Sequence, residues 1–86
     1  MLKQEFRERV VWQVARLMHR LEIEAVEMAV KYKGNEFFEF PVVIDPAVCF
    51  VRYDVSEKRF DQIKVQVVDS SGIVRMDEER ILIPPY

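Results

Sequence analysis

The spacing of apolar residues changes near residue 21. Before it, Leu2, Phe6, Val10, Val14, Leu17 and Leu21 recur at helical intervals. At about 100° per residue they share one arc, flanked by Val11 and Met18. This predicts an amphipathic helix over residues 2–20, with Glu5 and Arg9 as an i,i+4 pair. After residue 21 the apolar positions alternate: Met28, Val30 and Tyr32, then Phe38, Phe40, Val42 and Ile44. Alternation is the pattern of strands that show one face to a core.

Residues 21–33 admit two readings. Ala, Glu and Met are abundant, Glu27 and Lys31 lie i,i+4, and Gly34 could cap a helix end. A helix continued to residue 33 would be about 48 Å long, which overshoots so small a domain. The strand reading pairs Tyr32 with Phe38, Lys31 with Glu39, Val30 with Phe40, Met28 with Val42 and Val26 with Ile44. Apolar then meets apolar and Lys meets Glu throughout. Because helix propensity is a weak prior, the pattern predicts a hairpin of strands 23–33 and 37–44, with Pro41 at an edge or bulge.

Asp45-Pro46 breaks the pattern, and strands follow over 47–55 and 60–68. With Glu57–Arg59 as their loop, Tyr53 faces Ile63, Val51 faces Val65 and Cys49 faces Val67. The opposite face carries Val48, Phe50 and Val68 among Arg52, Asp54, Gln62, Lys64 and Gln66, which predicts partial cover. Asp69-Ser70-Ser71-Gly72 has the residues of a β-turn. It leads to a short strand 73–76 that sets Val68 against Ile73 and Val65 against Met76. Asp77–Arg80 reads as a turn or one helical turn, and Ile81-Leu82-Ile83 as a last apolar strip stopped by Pro84-Pro85. The fold class is α+β: one domain over residues 1–86, with an N-terminal helix packed on an antiparallel sheet of four or five strands.

Composition adds a surplus. Of 86 residues, 50% are hydrophobic and 12% aromatic, more than a small two-layer core readily hides. The excess points to surface meant for a partner, such as a second copy of the chain. The formal charge of -2 directs the whole chain toward neither nucleic acid nor membrane. The first twenty residues are nevertheless basic, with Lys3, Arg7, Arg9, Arg16 and Arg20 against Glu5 and Glu8. The rest of the chain is acidic. Scarce amides, no Thr and 33% charged residues lean toward a thermophilic source. No signal peptide and no apolar run of about 20 residues is visible, so a cytoplasmic location and no membrane are expected.

Catalytic chemistry finds little support. His19 lacks a nucleophile, acid or ligand at a recognised spacing and reads as a solvent-facing residue. Cys49 sits in an apolar run, as a buried thiol does. These two are too few for a structural zinc site, and Asp77-Glu78-Glu79 lacks calcium-loop spacing. Gly34 and Gly72 form no phosphate loop. Phe38 and Phe40, flanked by Glu36 and Glu39, suit a core better than an RNA-binding sheet. The expectation is a chain that is not an enzyme, with no cofactor and no metal.

The outward side of the helix is the candidate site. It carries Arg9, Trp12, Arg16, His19 and Arg20, and Trp and Arg are the residues most enriched at interface hot spots. Trp12 and Arg16, four apart, could stack. A protein contact, with itself or another subunit, stands level with a plain alternative in which Trp12 folds onto the sheet rim and the Arg residues are solvated. Nucleic acid, held by Arg–phosphate contacts and stacking on Trp12, ranks below both because the whole chain is acidic. The terminal Pro84-Pro85-Tyr86 is short for a proline-rich ligand and is expected to tuck into its own domain or a neighbour.

Overall fold

The computed structural model describes residues 2–68 and 74–84. Helix α1 (Gln4–Lys31) is followed by strands β1 (Phe37–Ile44), β2 (Ala47–Asp54), β3 (Arg59–Val68) and β4 (Val74–Leu82). The strands form one antiparallel meander in the order β1-β2-β3-β4. The helix covers one face of this sheet, giving the expected α+β fold with four strands.

The predicted strand 23–33 is overturned: those residues as far as Lys31 continue α1. Leu21, Ala25, Met28 and Ala29 carry the inward arc of Val10, Val14 and Leu17 down the helix. The alternation that imitated a strand comes from residues on opposite sides, with Met28 inward and Val26 and Val30 outward. Tyr32 closes the helix by donating its N–H to the Met28 carbonyl at 2.8 Å. Gly34 then takes φ +99°, which glycine adopts without strain. The length objection fails because the helix crosses the sheet. Its N-terminal end is tied to β4 by the ion pair of Arg7 with Glu79. Its backbone comes closest to β1, where the chain re-enters the sheet.

With no strand before it, β1 pairs with β2. Ile44 opposes Ala47 across a two-residue turn in which the Asp45–Pro46 bond is cis. β1 is an edge strand, which accommodates Pro41. The β2–β3 register lies two residues from the predicted one: Cys49 opposes Val65 and Val51 opposes Ile63. Asp54 decides this. Its Oδ1 accepts the backbone N–H groups of Ser56 and Glu57 at 3.0 and 3.1 Å and the Ser56 hydroxyl at 2.8 Å, which fixes an earlier turn. Lys58 completes it with φ 56°. A bulge then lets Phe60 and Ile63 both face the core.

The predicted turn at Asp77–Arg80 is also overturned. These residues belong to β4, which runs on through the expected apolar strip, so that Ile81 opposes Ile63 and Glu78 opposes Gln66. The predicted pairing of Val65 with Met76 is replaced by Val65 with Glu79, and Val68 opposes Val74. The predicted turn Asp69–Gly72, Ile73, and the Pro85-Tyr86 end lie outside the described residues.

The core lies between α1 and the inner face. Val10, Val14, Cys49, Val51 and Val65 are fully buried there, and Phe60 packs edge-on against Tyr53 and Phe40 at 5.0 and 6.1 Å. No other element covers the outer face of the sheet among the described residues. Its own cations cover it instead. Arg52 forms a two-bonded pair with Asp61, at 3.0 and 2.6 Å, and lies 4.4 Å above the Phe37 ring. Lys64 lies 5.0 Å above Phe50 and 3.6 Å from Glu39. The stems of these long side chains shield the rings while their charges stay in water.

Candidate interaction face on the helix

Arg9, Trp12, Arg16, His19 and Arg20 all lie on exposed positions of α1. Trp12 does not fold back onto the sheet: 70% of it is exposed. Arg9 stacks over Phe6 at 5.8 Å, and the expected Trp12–Arg16 stack is absent from the cation–π contacts among the described residues. Nor does the expected Glu5–Arg9 ion pair form; among the described residues Arg16, Arg20 and Glu27 also take part in no ion pair.

Continuation of the helix to Lys31 enlarges this face with residues that the strand assignment hid. Trp12, Ala15, His19, Ile23, Val26 and Val30 follow one another at intervals of three or four. At about 100° per residue they fall within about 80° of one another, and about 150° from the buried arc. Each is exposed, and Val30 and Ile23 remain 68% and 50% accessible. The stripe runs about 27 Å along the helix. Arg9, Arg16 and Arg20 flank its N-terminal half on one side, and Glu27 flanks its C-terminal half on that same side. The 3–4 spacing is present in the sequence, but a strand over residues 23–33 would end it at His19.

Other parts of the molecule offer less. A cleft of about 350 Å³ between α1 and the β2–β3 turn is lined by Met18, Glu22, Tyr53, Lys58, Arg59, Phe60 and Ile83. Burial, and then the charge of Glu22, raise the Tyr53 phenol above its ordinary pKa. Arg59 is committed to the Ile83 carbonyl at 2.6 Å. The lining holds no His, Ser or Cys; its titratable side chains are Glu22, Tyr53, Lys58 and Arg59. Cys49 is buried, and that burial pushes its thiol up to about 11. Among the described residues no three His, Cys, Asp or Glu side chains converge as metal ligands, and no helix is long and apolar enough to cross a membrane.

Comparison with family models, curated proteins and solved structures finds no match to this chain.

Proposed function

We propose that this protein is a small, non-catalytic interaction module, acting as a homo-oligomer or as a subunit of a larger protein assembly. One observation carries the reading: α1 has a second apolar stripe, directed away from its own sheet. A helix of a two-layer domain needs one apolar face. A second one, headed by an exposed Trp and held on a rigid element, has the composition of a contact hot spot.

The charge around the stripe argues for protein over nucleic acid. Arg9, Arg16 and Arg20 could meet phosphates, but Ile23, Val26 and Val30 extend the same surface and Glu22 and Glu27 border it. A phosphate backbone would meet repulsion along that half.

The test is solution mass, alone and co-purified from the source, for the wild type and Trp12→Ala. A mass above 10.3 kDa, reduced by Trp12→Ala, supports the reading. A strict monomer that retains no protein partner overturns it. Binding to nucleic acid that falls steeply with added salt would replace it with a nucleic-acid-binding regulator.

A further inference from the structure

We infer that the occupant of the outer face of α1 is a second copy of the same helix, packed antiparallel about a two-fold axis near residue 21. This rests on the interaction reading above and names its partner. The first argument is the spacing of the stripe. When the chain is reversed about residue 21, Trp12 meets the partner's Val30, His19 meets the partner's Ile23, and Ala15 comes within a residue of the partner's Val26. Trp12, Ala15, Val26 and Val30 find apolar mates, Ile23 meets His19, and the bulky Trp12 and Val26 face smaller residues. A surface that matches its own reverse is what an isologous contact requires.

Charge gives a second, independent argument. A two-fold axis across antiparallel helices sets each flank against the same flank of its mate. Arg16 and Glu27 share one flank, and neither has an ion-pair partner within the described residues. Their midpoint lies within a residue of the midpoint of the stripe. Arg16 therefore meets the partner's Glu27, and the pair occurs twice, against a single approach of Arg20 to its own copy at the axis. Parallel packing would set this flank against the opposite one, so that Arg16 and Glu27 would not meet. The antiparallel arrangement also places each helix N-terminus beside the C-terminus of its mate, which the helix dipoles favour. Because α1 is the outermost layer of each copy, the two sheets lie on the far sides and do not collide. A six-residue stripe on each helix is a small interface, so association belongs to the micromolar range and needs concentrated protein to be seen.

Charge swapping tests the arrangement on the full chain. Arg16→Glu and Glu27→Arg should each weaken self-association about tenfold, since each turns two attractive pairs into two repulsive ones. An equimolar mixture of the two variants should recover wild-type affinity, because both cross pairs are then opposite in sign. On a Cys49→Ala background, Trp12→Cys combined with Val30→Cys should oxidise to a covalent dimer, and Trp12→Cys alone should not. Failure of the mixture to recover, or ready cross-linking of Trp12→Cys alone, overturns the antiparallel pairing. A wild-type chain that stays monomeric at about 1 mM overturns self-association altogether, yet leaves the interaction reading intact if a different protein is retained through Trp12. Circular dichroism of each variant separates lost contact from lost fold.

Discussion

Arg7, in the first turns of α1, is ion-paired with Glu79 of β4, 72 residues further along the chain. The same carboxylate accepts the Leu2 N–H at 3.3 Å, so one side chain fastens both the helix and the segment that leads into it. α1 has no side-chain N-cap, so this tie adds to the packing of Leu2 and Phe6 in holding its N-terminal end. Arg7→Ala should cost about 0.5–1 kcal/mol, the modest size following from partners that are 36% and 22% exposed. Glu79→Ala should cost more, because it also leaves Leu2 without an acceptor. Urea denaturation of both variants and the double mutant reads the coupling directly.

The two faces of α1 should separate stability from association. Val14 is fully buried and Val30 is 68% exposed. Val14→Ala removes two buried methyl groups and leaves a void, and should cost about 2 kcal/mol in denaturation. Val30→Ala should change stability by less than about 0.5 kcal/mol, since Ala favours the helix. In sedimentation the order reverses: Val30→Ala weakens self-association and Val14→Ala leaves it unchanged.

Much of the fold is legible in the sequence because the sheet alternates cleanly. Phe38, Phe40 and Ile44, then Cys49, Val51 and Tyr53, and then Ile63 and Val65 show the inward face of each strand. Sequence also finds the exposed Trp12 among Arg residues. What misleads is a helix that is apolar on two sides. Val26, Met28 and Val30 alternate for the same reason that they matter, since one faces the core and two face outward. Period-2 alternation and a two-faced helix coincide over so short a window. The β2–β3 register is hidden for another reason: it is set by three hydrogen bonds to one Asp54 oxygen and by a bulge, neither of which changes which face is apolar.

The outer sheet face depends on Arg52 as a planar group. Its guanidinium binds both Asp61 oxygens and lies over Phe37, which an ammonium cannot do at once. Arg52→Lys should therefore cost about 0.5–1 kcal/mol despite keeping the charge. Thermal denaturation checks this. A Phe37→Ala background should halve the loss if the ring contact contributes.

Cys49 gives the fold an alkaline sensitivity of known sign. Burial holds its thiol protonated up to about 11, whereas an unfolded thiol ionises near about 8.5. Between these values the unfolded chain binds fewer protons than the folded one, so stability falls as pH rises. Cys49→Ala should remove that part of the alkaline decline. In the wild type, alkylation at pH 8 should proceed only as fast as the core opens, and urea should accelerate it.

Asp54 works in the opposite direction. The backbone N–H of Glu57 and the hydroxyl of Ser56 hold its carboxyl below the ordinary value. Its stabilising effect is complete above the unfolded carboxyl pKa of about 3.9 and is lost as pH falls through the lower folded value. Amide exchange at Ser56 and Glu57 should quicken in that acid range. Asp54→Ala should show the fast rate at neutral pH, and the loosened turn should favour the β2–β3 register two residues away.

His19 stands in the middle of the outer stripe, where the antiparallel pairing sets it against the partner's Ile23. A polar ring at a helix–helix contact weakens association but disfavours shifted registers, in the way a single polar residue does in a coiled coil. His19→Leu should therefore tighten self-association several-fold at neutral pH while leaving the stability of the monomer nearly unchanged, because the side chain touches no core. It should also blur the alignment. The Trp12→Cys, Val30→Cys disulfide would form less selectively, with cross-links one helical turn out of register appearing beside it. Tighter association without any loss of alignment would show that His19 merely weakens the contact and that the Arg16–Glu27 pairs alone set its register.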